Sequence, residues 1–147
     1  MDIKLKLMDK QDIPLVCNIQ QQAFGERTPE DFEKCIAKPS LYCYCVAMLG
    51  KLVVGYFGIM FVGDESELLT IAVDENYQHH GYGKALLAGA IGAAKKLNKK
   101  ALYLEVREDN SALGFYEHYG FKKSHVRKGY YQTITGPKDA YVMKLEL

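Results

Sequence analysis

A chain of 147 residues has the length of one ordinary domain, and residues 1–147 are expected to form one, with enough material to bury a core. Hydrophobic residues at 48% and charged residues at 25% exclude a disordered chain, and no apolar run reaches the ~20 residues of a membrane-spanning helix. A formal net charge of +1 offers no broad field for nucleic acid or anionic lipid, so neither is expected as a partner. Any bound anion needs a local site.

The alternation in "DIKLKL" predicts a first strand over residues 2–7. "DKQDIPLVCNIQQQAF" predicts a helix, with Asp9 or Asp12 as its cap and Pro14 in its first turn. "TPEDFEKCIAK" predicts a short second helix capped by Thr28, with Pro29 first and acidic residues filling the first turn. "LYCYCVAML" and "LVVGYFGIMFV" are strands joined at Gly50-Lys51, and the turn "GDES" leads to a fourth strand, "ELLTIAVD". A helix then runs from "QHHGYG" through "KALLAGAIGAAKKL". "ALYLEV" is a strand, and "SALGFYEHYG" a helix closed by Gly120. "FKKSHVRKGYY" and "DAYVMKLEL" are the last two strands, joined by a loop containing Gly136 and Pro137. The order β-α-α-β-β-β-α-β-α-β-β, without repeat or linker, is that of a mixed α/β fold.

The opening "MDIKLKLMDKQDI" lacks the apolar core of a signal peptide. Cys17, Cys35, Cys43 and Cys45 form no C-x-x-C pair and have no histidine at zinc-ligand spacing. They read as small apolar residues in a reducing cytoplasm, Cys43 and Cys45 sharing one face of their strand. No metal is expected.

Gly81 and Gly83 stand where an apolar strand gives way to a helix, and glycine there lets a ligand approach the backbone. A Walker loop requires glycine five residues before the Gly-Lys pair and Ser or Thr after it. Gln78 and Ala85 occupy those places. The dinucleotide fingerprint requires glycine where Leu86 stands. What remains, Q-x-x-G-x-G, suits a pyrophosphate laid on the unpartnered first amides of a helix, with Lys84 adding charge at the rim.

The run "LLTIAVDENYQHHGYGKALL", then "LYLEV", then "SALGFYEHYGF" resembles the GCN5-related N-acetyltransferase superfamily. The segment "LYLEVRE" and the tail "VRKGYYQTITGPKDAYVMKL" bring it nearest the bacterial ribosomal-protein alanine N-acetyltransferases. The resemblance covers residues 64–147 well and the first 50 in outline. It implies a central mixed, mostly antiparallel seven-stranded sheet flanked by about four helices. It also implies acetyl-CoA as cosubstrate. The pantetheine arm would pair with the main chain of Ile71, Ala72 and Val73, and the pyrophosphate would rest on His79, His80, Gly81, Tyr82, Gly83 and Lys84. Glu105 would be the general base, Tyr116 the acid that protonates the leaving thiolate, and Asn110 a cofactor contact. Asp109 competes for that last role, because Asn110 stands six residues before Tyr116 where the family commonly has seven. Glu67 is an alternative base.

An α-amino group, with a pKa near ~8, is easier to deprotonate than lysine near ~10.4, and a strand-end glutamate can take that proton. The oxyanion is best served by a strand amide near Leu69 to Ile71. The implied acceptor is a protein or peptide N-terminus, an alanine of a small-subunit ribosomal protein, with Tyr130 and Tyr131 lining a peptide groove. The family's Pro-Trp-Ser stretch before the second helix is replaced by "FGERTPEDF", and the chain has no tryptophan. A small-molecule amine as acceptor, or an acetyl-CoA sensor without turnover, are the alternatives.

Overall fold

The computed structural model describes residues 2–147; of the expected domain only Met1 lies outside the described residues. Along the chain run β1 (Lys4–Leu7), α1 (Ile13–Phe24), α2 (Pro29–Ile36), β2 (Tyr42–Leu49), β3 (Leu52–Val62) and β4 (Glu65–Val73). They are followed by α3 (Tyr82–Lys96), β5 (Ala101–Arg107), α4 (Leu113–His118), β6 (Lys122–Thr133) and β7 (Gly136–Glu146). The strands form one seven-stranded sheet in the order β1-β2-β3-β4-β5-β7-β6. Every neighbouring pair is antiparallel except β4–β5. This is the mixed sheet with four helices that the resemblance implies.

Local chemistry sets the element starts. The Asp9 side chain accepts from the Gln11 amide and Asp12 returns a carboxylate to the Asp9 amide at 3.0 Å, so both aspartates cap, on a single 3-10 turn ahead of α1. Asp12 is buried, and Lys6 neutralises it at 2.6 Å. The Thr28 hydroxyl accepts from the Asp31 amide at 3.3 Å and caps α2 as its spacing predicts. Gly136 and Pro137 correct the expected loop, since they begin β7. Pro137 faces Gln132 where the β6–β7 hairpin extends past β5, whose ladder with β7 stops at Arg107↔Ala140, so its missing N–H costs no bond there.

Two apolar clusters cover the two faces of the sheet. Phe57, Ile59, Leu86, Leu87, Leu102, Phe121 and Met143 pack with α3 and α4 on one side. Val16, Ile19, Phe32, Tyr44, Val46 and Tyr56 pack with α1 and α2 on the other.

The sheet is also split. Among the described residues β4 and β5 are in register only at Ser66↔Leu102 and Glu67↔Tyr103, and beyond Glu67 no strand pairs with the β5-facing edge of β4. A bulge at the same place, where Gly58↔Thr70 and Ile59↔Leu68 leave Leu69 unpaired, bends β4 away. The site is built in that split.

Candidate functional site

A cavity of about 600 Å³ opens on one side of the split. Its floor is Ile71, Ala72 and Val73 of β4, its far wall is Asn110, Ala112, Phe115 and Tyr116, and His79, Gly81, Tyr82 and Gly83 close its end. Gly81 caps α3 with φ 82°, the left-handed region that favours glycine, and no side chain caps the helix. A Cβ built on Gly81 meets nothing within 4 Å. The first amides of a fifteen-residue helix therefore face open space at the end of the cavity, carrying the positive end of its dipole. His80 and Lys84 lie outside the cavity lining, and Lys84 is exposed. The Tyr82 side chain is buried in the core, which leaves its amide for a ligand.

A second cavity, of about 710 Å³, opens on the other side. Glu67, Leu68, Leu69, Glu105, Arg127, Tyr130 and Tyr131 line it, and Phe24 and Asn110 line both cavities. The gap between β4 and β5 thus joins two chambers. One is walled by backbone and aromatic rings, the other by carboxylates and tyrosines.

Glu105 alternates on β5 with buried Leu104 and Val106, which turns its carboxylate to the opposite face of the sheet. The Tyr131 hydroxyl donates to Glu105 Oε1 at 2.9 Å, and Arg127 stands 3.5 Å from Oε2. Burial, with the Glu105 carboxylate beside it, pushes the Tyr131 phenol up to about 12, so it remains the donor at neutral pH. Arg107 pairs with Asp109 at 2.5 Å and leaves Glu105 to β6. Asn110 uses its side-chain oxygen to accept the Ala112 amide at 2.8 Å. Tyr116 is nine-tenths buried, and burial alone pushes its phenol to about 12. A phenol so placed keeps its proton at neutral pH.

Residues 12–121 match the acetyltransferase (GNAT) family. The chain belongs to that family. In this GNAT protein 85 residues are 42% identical to the [ribosomal protein bS18]-alanine N-acetyltransferase of Escherichia coli K12. That match spans 57% of each chain, a little over half the relative's length. An N-alpha-acetyltransferase of Mycobacterium tuberculosis is 38% identical over 121 residues, covering 79% of this chain and 73% of that one. The crystal structure of the Escherichia coli ribosomal-protein-S18-alanine N-acetyltransferase superposes with a TM-score of 0.88 at 29% identity, over 99% of this chain and 94% of that one.

Within this GNAT fold, nine of the residues expected at the site line one cavity: Ile71, Ala72, Val73, His79, Gly81, Tyr82, Gly83, Asn110 and Tyr116. Glu105 and Glu67 open into the other. Sequence reasoning missed Phe24 and the hold of Arg127 and Tyr131 on Glu105. A large aromatic immediately before a helix-ending glycine is the one signal that marks Phe24. For Arg127 there is none, because 22 residues of chain and a strand crossing separate it from Glu105.

Proposed function

We propose that this chain is an acetyl-CoA-dependent N-α-acetyltransferase, acting in the cytoplasm on the N-terminal amine of a protein. The favoured acceptor is the N-terminal alanine of a small-subunit ribosomal protein. The observation that carries the reading is the pair of cavities meeting at the β4–β5 split, one fitted to a pyrophosphate-bearing donor and the other presenting a carboxylate to an amine. The donor fits the residues present: the open edge of β4 offers main-chain partners to an amide-rich arm, and the uncapped amides after Gly81 suit a diphosphate. When bound, acetyl-CoA supplies a thioester carbon ready for attack.

The chain's own residues do the rest. Ile71, Ala72 and Val73 orient the donor arm, with Asn110 on the opposite wall. His79, Gly81, Tyr82 and Gly83 hold the pyrophosphate through main-chain groups, with His80 and Lys84 outside the cavity lining. Near the bulge at Leu69, a β4 main-chain amide would stabilise the negative charge that develops on the acyl oxygen. Glu105, steadied by Tyr131, takes the proton shed by the acceptor nitrogen. Tyr116 gives its phenolic proton to the departing sulfur, and Glu67 stands by in the acceptor cavity as a second carboxylate. The names carried by the Escherichia coli and Mycobacterium tuberculosis relatives support an N-terminal amine.

A second reading, a small-molecule amine, is favoured by one feature. The stretch that replaces Pro-Trp-Ser is fastened by Arg27, which lies 4.2 Å over the Phe32 ring and donates to the Tyr44 hydroxyl at 3.1 Å. Phe24, the first residue of that stretch, lines the acceptor cavity. The deciding experiment measures thiol release with peptides differing only in the first residue, alongside polyamines. Turnover that peaks on Ala-initiated peptides is expected. A preference for polyamines overturns the protein acceptor, and tight CoA binding without turnover on any amine overturns the enzyme.

A further inference from the structure

Cys43 and Cys45 flank the buried Tyr44 on β2, so both thiols leave the sheet on the face packed against α3. Their sulfurs stand 3.8 Å apart, and both side chains are only partly buried. Cys43 opens on a cavity of about 310 Å³ walled by Leu7, Tyr42, Phe61, Ala93 and Leu97. No residue lining it lines either chamber of the acyl-transfer site. The hydrogen bond between the two sulfurs lowers one thiol of the pair, Cys43, against the opposing effect of burial, and raises the other, Cys45.

Geometry narrows what such a pair can hold. A direct S–S bond needs sulfurs ~2.05 Å apart, and residues two apart on a strand lie ~6.7 Å apart at Cα, the far limit for a disulfide. The 3.8 Å gap instead leaves room for one inserted atom. Structural zinc takes four ligands, and among the described residues no group of three or more His, Cys, Asp or Glu is placed to hold a metal ion. Two sulfurs beside an apolar wall suit an electrophile that needs only two thiols and carries its own organic group.

We propose that Cys43 and Cys45 form a dithiol site that captures organic trivalent arsenicals, the organic substituent lodging in the apolar cavity beside α3. With an arsine oxide, two S–H bonds break, two As–S bonds form, and the oxide oxygen leaves with both protons as water. Arsenic stays trivalent and no electron is transferred. Burying the substituent against Leu7 and Leu97, 69% and 50% exposed, adds apolar area removed from water.

Phenylarsine oxide is the probe, titrated into the full chain and followed by intact mass and by thiol counting with Ellman's reagent. One phenylarsenic per chain, two thiols lost, and reversal by a dithiol but not by a monothiol are expected. Cys43→Ala and Cys45→Ala should each weaken capture by roughly 100-fold or more, since the second sulfur acts at a high effective concentration. The double variant Cys17→Ala/Cys35→Ala should capture as the unaltered chain does. Peptide mapping of the unaltered adduct places the arsenic independently of any variant's folding. Arsenic found on Cys17 or Cys35, or undiminished capture by Cys43→Ala or Cys45→Ala, overturns the site.

Discussion

Glu105 is held from β6 by a phenol at 2.9 Å and a guanidinium at 3.5 Å, and these contacts fix the position of the carboxylate proposed as the base. Glu105→Gln keeps the shape and removes the proton acceptor. We expect donor affinity by calorimetry to be unchanged and kcat to fall on the order of 100-fold at pH 7. The deficit should narrow as the pH passes ~8, where the acceptor amine sheds its own proton. A rate equal to that of the unaltered chain at pH 7 would assign the base elsewhere, Glu67 being next in the same cavity. Tyr116 makes a separate prediction. Burial holds its phenol near 12, so as an acid it remains competent through pH 10, and the rate should show no alkaline fall from this group below that value. Tyr116→Phe should cost on the order of 100-fold in kcat with little change in donor affinity. An undiminished rate would remove Tyr116 from proton transfer.

At the scale of elements, the entry to α3 and the bend of β4 shape the site. Gly81 sits at φ 82° beside open space, so Gly81→Val places a branched side chain in the left-handed region and fills the end of the cavity. Strain of ~1–2 kcal/mol is expected, read as a lower melting temperature, together with loss of acetyl-CoA binding by calorimetry. Normal affinity would put the pyrophosphate elsewhere. Gly58 lies opposite the β4 bulge, and a Cβ there would come within 2.4 Å of the Tyr44 ring. That ring is buried and held by Arg27 at 3.1 Å, so it cannot swing away. Gly58→Ala should destabilise the fold by ~1–3 kcal/mol, visible as an earlier urea midpoint. An unchanged midpoint would mean that β3 shifts freely.

At the scale of the whole molecule, buried phenols tie stability to alkaline pH. Burial raises Tyr44 and Tyr116 to about 12, against ~10 in an unfolded chain. Between those values the native state keeps protons that the unfolded state has released, so stability falls as pH rises. Their contribution is intact below pH ~10 and lost by about 12. Urea midpoints should be level from pH 8 to 9.5 and drop by pH 11. A midpoint that holds at pH 11 would mean that these phenols are solvated. The same scale explains the split sheet. β5 keeps its full ladder with β7 from Ala101 to Arg107, while β4 keeps its own with β3, and the two halves touch at two registers.

Much of this was legible in the sequence, and for local reasons. Thr28-Pro29, Asp9 with Asp12, and Gly120 are end signals whose physics acts within four residues. Alternation in "LYLEV" already separated Glu105 from the core face. Gly81 and Gly83, read with the strand before them and "GFYEHYGF" after, pointed to the place where the start of α3 lines a cavity, but not to the side chains that stay outside its lining. Other features needed the fold. Which edge of β4 stays open depends on where β5 leaves it. The partners of Glu105 come from a strand hydrogen-bonded to β7, outside any local window. Pro137 reads as a loop residue until the hairpin is seen to outrun β5. The elements, their order and the chemistry available follow from local residue patterns, because caps, turns and alternation are short-range. Which groups meet across the split depends instead on strand order and register, which pairings between distant segments set.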